Sequence, residues 1–171
     1  DKAIVKKTLA LAQKYGKPVY GVVANMSIGL ERRDFLKELS AFVCNVQEAG
    51  LLFCTDFSEN TPQELVDMIS QRVIQARIPK LVVTLGAQGA VYADCNGDKG
   101  HCPARTVEVK DTTGAGDSFC AGLSVGLTYG KSLKEACEIG TYLAASVIVT
   151  TENVCPRFLP RELGLDMDVV D

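Results

Sequence analysis

Three short apolar runs, separated by segments of helical pattern, constrain this chain more than any other feature. Val19-Tyr20-Gly21-Val22-Val23-Ala24, Ala41-Phe42-Val43-Cys44-Asn45 and Lys80 to Leu85 are nearly continuous in apolar residues. Runs of that length without polar alternation suit strands covered on both faces. Between them the periodicity is helical. Residues 2–15 carry Ile4, Val5, Leu9, Leu11, Ala12 and Tyr15 among lysines, and Gly16 and Pro18 stop that helix. Residues 31–39 give a short helix. Thr61-Pro62-Gln63-Glu64 supplies a capping Thr, a Pro at the first helical position and a Glu at the third, so a helix starts there and runs to about Arg77. Strand–helix alternation of this kind predicts an α/β fold: a three-layer sandwich with a mostly parallel central sheet and helices on both faces.

After Leu85 the pattern changes. Ala90 to Asp94, His101 to Ala104 and Thr106 to Val109 read as short antiparallel strands, with Asn96-Gly97-Asp98 as the hairpin turn between the first two. Two helices follow, at about 115–129 and 132–149. Gly130 ends the first, and Ser132 with Glu135 caps the second. Beyond Thr151 the tail reads as irregular, with Pro156 and Pro160. There is no internal repeat or linker, so residues 1–171 form one structural unit in this reading.

Composition removes several function classes. Of the 171 residues, 47% are apolar and 23% charged, which is globular rather than disordered composition. A formal charge of −3 with no basic face argues against nucleic-acid binding. No apolar run is long enough to span a membrane. The seven cysteines contain no Cys-x-x-Cys and several sit in apolar runs, which predicts reduced core thiols and a cytoplasmic protein. Cys95, His101 and Cys102 match no common zinc spacing and lack a fourth ligand. With one histidine in the chain, His-based catalysis is a poor fit.

The chemistry concentrates in Asp111-Thr112-Thr113-Gly114-Ala115-Gly116-Asp117, directly before the apolar helix Ser118-Phe119-Cys120-Ala121-Gly122-Leu123. A glycine-rich turn opening a helix aims backbone N–H groups at one point, where the helix dipole also favours negative charge. Asp117 falls in the first helical turn, beside any anion held there. An anion cradle with an adjacent carboxylate suits phosphoryl transfer to a hydroxyl. The amides of Gly114, Ala115 and Gly116 would stabilise the moving phosphoryl group, and Asp117 would take the proton of the attacking hydroxyl.

Every position from Asp111 to Ser124 resembles the C-terminal signature of the ribokinase-like sugar and nucleoside kinases, the PfkB carbohydrate kinase family. The resemblance implies a ribokinase-like fold, ATP and Mg²⁺ as cofactors, Asp117 as catalytic base and residues 114–116 as the anion hole. It bears on three further segments. Asn45-Val46-Gln47-Glu48 follows the second buried run. Read alone, it is either a site for a hydrated Mg²⁺ bridging phosphate oxygens or an N-cap Asn with a first-turn Glu. The family carries an Asn-x-x-Glu motif at this place in the order of elements, which implies the metal role for Asn45 and Glu48. Thr84-Leu85-Gly86-Ala87-Gln88-Gly89 reads as a tight turn, and the resemblance makes Thr84, Gly86 and Gly89 nucleotide contacts. The matching residues of cation-dependent relatives make Asp111 and Thr113 part of a monovalent-cation (K⁺) site. Its second part would come from Val149 to Arg157, and Arg157 stands where a small hydroxyl residue is common, so a basic side chain competes with that cation. Tyr142 stands near the expected adenine position, where stacking on the base and a core or rim role are both open.

The order of elements matches roughly the second half of such a kinase. The expectation is therefore a C-terminal part of a kinase, nucleotide-binding and catalytic, without the half that carries the lid and most acceptor contacts. The expected function is ATP-dependent phosphorylation of an alcohol group of a sugar. The alternatives are a nucleoside kinase of pseudouridine or adenosine type, and a non-catalytic nucleotide-binding remnant. A dinucleotide-binding oxidoreductase would need Gly-x-Gly-x-x-Gly after the first strand and an acidic residue beyond it, and neither is found. Expected partners are a small-molecule sugar or nucleoside and, for the full-length protein, a second copy of itself in a homodimer.

Overall fold

A computed structural model describes residues 1–22, 26–151 and 158–165. Two compact units divide it. The first holds residues 1–85 and 91–101, and the second holds 86–90 and the described residues from 102 onward.

The first unit is built on a five-stranded sheet in the order β1-β2-β3-β4-β5: β1 Tyr20–Val22, β2 Ala41–Asn45, β3 Lys80–Thr84, β4 Ala90–Asp94 and β5 Lys99–Cys102. Strands β1, β2 and β3 run parallel, with Phe42 opposite Leu81 and Asn45 opposite Thr84. Helices α1 (Lys2–Lys14), α2 (Met26–Glu31), α3 (Val46–Phe53) and α4 (Pro62–Ala76) fill the connections. Alternate residues of three strands, Phe42 and Cys44, Leu81 and Val83, Val91 and Ala93, share one apolar cluster with Ala49 and Leu52 of α3 and Leu65, Ile69 and Val73 of α4. The residues between them, Val43, Val82 and Tyr92, are buried as well. Burial on both faces is why β2, β3 and β4 appear in the sequence as unbroken apolar runs.

Strand β1 departs from that expectation. It is three residues long, sits at the sheet edge, and leaves Val22 49% exposed, so it is not a fully buried strand. Val23 and Ala24 lie outside the described residues. The predicted 31–39 helix is instead the end of α2 followed by a 3₁₀ turn, Arg33–Lys37. Arg32 interrupts it with an extended φ of −129°, while its guanidinium pairs with Asp34 and covers the Phe35 ring. Phe35 and Leu36 are adjacent and both buried, which one tight turn achieves and a longer amphipathic helix does not.

The expected hairpin forms across Asn96-Gly97-Asp98, where the Asp94 N–H donates to the Asp98 carbonyl. Strand β5 begins two residues earlier than its apolar residues suggest. Thr106–Val109 is no strand: Val109 is 55% exposed, and the alternation there has no paired neighbour to bury it.

The second unit centres on α5 (Ala115–Thr128) and α6 (Leu133–Ile148), packed along their length. Ser132 and Glu135 cap α6 reciprocally, as the sequence predicts. The tail is not wholly irregular. Pro160–Leu163 is a 3₁₀ turn and Leu165 is buried. Of the described cysteines, Cys44, Cys102 and Cys137 are buried thiols, but Cys54 and Cys95 are exposed, so the core-thiol expectation fails for those two. No described helix is long and apolar enough to cross a membrane.

Candidate active site

The start of α5 differs from the other well-defined helix starts. Helices α3, α4 and α6 open with complete capping boxes, and Asp1 accepts from the Ala3 amide at the start of α1. Helix α5 opens on Gly114, with φ +81° and no side-chain cap. That φ is left-handed, a region glycine enters without strain. The Ala115 N–H donates to the Thr112 carbonyl at 3.2 Å, so it is partly engaged within the turn. Gly116 has ordinary helical backbone, and a Cβ built on it meets nothing within 4 Å. Among the described residues, neither backbone strain nor packing accounts for glycine at 116. Asp117, in the first turn, is exposed.

The approach to this turn is fixed from two sides. The Thr113 amide donates to Asp111 Oδ1 at 2.9 Å, and hydrogen bonds from Thr113 hold the Asp111 carboxyl below its ordinary range. The Ile148 carbonyl, at the end of α6, accepts from the amides of Lys110 at 2.7 Å and Asp111 at 3.4 Å.

Gly86 and Gly89 have different reasons to be glycine. Gly86 has φ +58° and open space where a Cβ would stand. Gly89 has φ +90°, and its Cβ would lie 2.0 Å from the Cys102 carbonyl oxygen and 2.5 Å from the Ala104 nitrogen. The chain crosses itself there, so Gly89 is required by the backbone whatever else it touches. Tyr142 is already engaged: the Arg105 guanidinium lies 4.6 Å from its ring centre, and Phe158 meets it edge-on at 5.3 Å. It borders an open cleft of about 390 Å³ with Arg105, Glu138 and Ile139.

In the first unit the structure brings Asn45, Glu48 and Thr84 together. Asn45 and Thr84 are register partners at the ends of the parallel strands β2 and β3, and the Thr84 hydroxyl donates to the Cys44 carbonyl at 3.4 Å. Asn45 and Glu48 form a capping box: the Glu48 amide donates to Asn45 Oδ1 at 2.9 Å, and the Asn45 amide to Glu48 Oε2 at 2.7 Å. The helix-cap alternative is thus realised, and it fixes the carboxylate at the strand end. Among the described residues no three His, Cys, Asp or Glu side chains gather as a metal site.

The model of the family described as pfkB family carbohydrate kinase matches residues 1–157. The chain belongs to the pfkB family. It is 34% identical over 151 residues to the guanosine-inosine kinase of Exiguobacterium acetylicum, covering 88% of this chain and 49% of that protein. It is 30% identical to the ribokinase of Schizosaccharomyces pombe, covering 95% of this chain and 50% of that protein. Among solved structures, the ribokinase of Cryptococcus neoformans in complex with ADP aligns with a TM-score of 0.69 at 26% identity, over 85% of this chain and 53% of that one. The chain spans about half the length of the curated relatives it matches. The α/β, ribokinase-like fold class read from the sequence holds for this pfkB member.

Within the second unit, Asp111, Thr113 and Gly114 lead into α5, and Ala115, Gly116 and Asp117 are its first three residues. The second half of the expected cation site, including Arg157, lies outside the described residues apart from 149–151. Arg105 was not legible as a partner of Tyr142. A cation and an aromatic ring 37 positions apart carry no local pattern, and only the fold brings them together.

Proposed function

We propose that this chain carries the phosphoryl-transfer centre of an ATP-dependent kinase whose acceptor is a sugar hydroxyl. The observation that carries this reading is the start of α5: an uncapped helix N-terminus, an open surface at Gly116, and the exposed Asp117 one residue further. An anion supplies what the missing cap would have supplied, and the absence of a Cβ at 116 lets phosphate oxygens reach the backbone. Gly114 and Gly116 act as the main amide donors, because the Ala115 N–H already turns toward Thr112. Asp117 accepts the proton of the acceptor hydroxyl as its oxygen bonds to the transferred phosphorus and the bond to the departing diphosphate breaks.

Asn45 and Glu48 are the residues proposed to hold Mg²⁺ through its waters. Glu48 has Oε2 fixed by the Asn45 amide, and a carboxylate has a second oxygen to offer. The bound metal neutralises phosphate charge. Thr84 and Gly86 are proposed nucleotide contacts, and the cleft beside Tyr142 and Arg105 has room for a base. Asp111 and Thr113 are the proposed cation ligands.

A second reading, a nucleoside kinase, is favoured by the 34% identity to a guanosine-inosine kinase. The two readings share the chemistry and differ in what carries the hydroxyl. The test is ADP production by the full-length protein with ATP and Mg²⁺ against ribose, other pentoses, hexoses, guanosine, inosine and adenosine. Phosphorylation of any of these supports the kinase reading and selects the acceptor. Tight ATP binding without turnover across the panel would leave a nucleotide-binding remnant instead.

A further inference from the structure

Within the second unit, helix α6 packs on α5, on Cys102 and on the residues that lead into the Asp111 turn. A Cβ on Gly140 would lie 2.7 Å from the Phe119 carbonyl oxygen and 3.1 Å from the Phe119 ring, two residues after Asp117. From the other side, a Cβ on Gly122 would lie 2.8 Å from the Gly140 Cα and 2.9 Å from the Ile139 carbonyl oxygen. Here α5 and α6 meet backbone to backbone. Next along α6, the buried Thr141 hydroxyl donates to the Cys137 carbonyl at 2.9 Å. That leaves the Cys102 thiol to donate to Thr141 Oγ1, 3.4 Å away. The Cys102 carbonyl is the atom that presses on Gly89. At the end of α6, the Ile148 carbonyl holds the amides of Lys110 and Asp111.

We infer that Gly140 is a positioning residue for Asp117: its direct contact with the Phe119 main chain sets where the first turn of α5 stands. The inference rests on the reading of Asp117 as the base. The nearest atom opposing a methyl at 140 is the main-chain carbonyl oxygen of Phe119, which no rotamer change can move, and the next two belong to the Phe119 ring. To regain an ordinary contact of about 3.5 Å from 2.7 Å, the helices must separate by about 0.8 Å. Displacement of a catalytic group on that scale costs up to about 10²-fold in rate.

Gly126 provides the control. Its Cβ would lie 2.9 Å from the Ala136 Cα and 3.2 Å from Ile139 Cδ1, a similar crowding nearer the far end of the same helix pair. The experiment compares Gly140→Ala, Gly122→Ala and Gly126→Ala in the full-length protein, with melting temperature, kcat and both KM values measured for each. Amide NMR shifts of Gly116 and Asp117 are recorded as well. In Gly140→Ala, kcat falls roughly tenfold or more, both KM values stay within about twofold, and the two amides shift. In Gly126→Ala, melting temperature falls comparably while kcat and the two amides stay near wild type. Gly122→Ala presses on the same contact from α5 and replaces Gly140→Ala should that variant not fold. Wild-type kcat with unmoved amides in Gly140→Ala overturns the inference, as does an equal loss of kcat in Gly126→Ala. If the wild-type protein turns over no acceptor, the kinase reading falls, and the amide shifts alone decide whether Gly140 positions this turn.

Discussion

Replacing Gly116 by alanine separates a glycine kept for a ligand from one kept for the fold. In the structure an added Cβ at 116 meets nothing within 4 Å, and the backbone is ordinary helix. Alanine in a helix is favoured over glycine by about 0.5–1 kcal/mol, and that gain is not offset by a clash here. At about 2–4 °C per kcal/mol for a domain of 150–250 residues, the melting temperature stays level or rises by no more than about 4 °C. Activity moves the other way. On the proposed reading the methyl group covers the surface where the amides of the first turn face the phosphate, and losing one such donor costs about 10²–10³-fold in kcat. Gly89→Ala is the counter-example. Its Cβ overlaps the Cys102 carbonyl at 2.0 Å with φ at +90°, so stability drops by about 1–3 kcal/mol or more. Calorimetric melting and a coupled ADP assay on the two full-length variants give both readouts. A Gly116→Ala protein that melts several degrees lower, or that retains wild-type kcat, refutes the reasoning.

Asp117→Asn lowers kcat by about 10²–10⁴-fold and leaves ATP affinity unchanged by titration, because the amide donors remain. Glu48→Gln raises the Mg²⁺ concentration for half-maximal rate without lowering the melting temperature, since an amide oxygen still accepts from the Asn45 N–H; Glu48→Ala loses that one bond, at about 0.5–1.5 kcal/mol, while the residue-48 amide still donates to Asn45 Oδ1. Hydrogen bonds from Thr113 lower the folded-state pKa of Asp111, so its contribution is present above the ordinary value of 3.8 and fades as pH falls below it. Asp111→Asn therefore flattens the acid limb of a melting-temperature profile below about pH 4. Glu64 and Glu135, lowered by hydrogen bonds from Thr61 and Ser132, act the same way from 4.5 downward.

Local signals carried the fold where they were complete. Thr61, Pro62 and Glu64 mark the start of α4 with their own side-chain chemistry, and Arg77 caps its end within one residue of the expected boundary. Strand β4 is wholly buried and bounded by glycine and a turn, so it was legible to the residue. Val107 and Val109 alternate like a strand, yet pairing is a property of the neighbour, and the sequence does not name the neighbour. The exposure of Val22 follows from an edge position, also invisible locally. In the candidate site, the bonds inside 111–117, Thr113 to Asp111 and Ala115 to Thr112, are short-range, whereas the hold of the Ile148 carbonyl on Asp111 spans 37 positions and left no local signal. The two glycines of 86–89 looked alike in sequence. Only the crossing at residues 102–104 shows that one is held by the backbone and the other stands in open space.

The bare start of α5 has a thermodynamic consequence. Four other helices close their first turn with a side chain of their own, so their ends are equally complete with or without a visitor. Helix α5 has no such side chain, and in the proposed reading the phosphate it binds takes that place. On that reading its Gly114 and Gly116 amides should exchange freely with deuterium in the empty protein and become protected on occupancy, while the Ala115 amide is already held by the Thr112 carbonyl. That protection should deepen as RT ln(1 + [L]/Kd) with ligand concentration. The first turn of α5 is thus a gauge of saturation written into the main chain, readable residue by residue before any product is made.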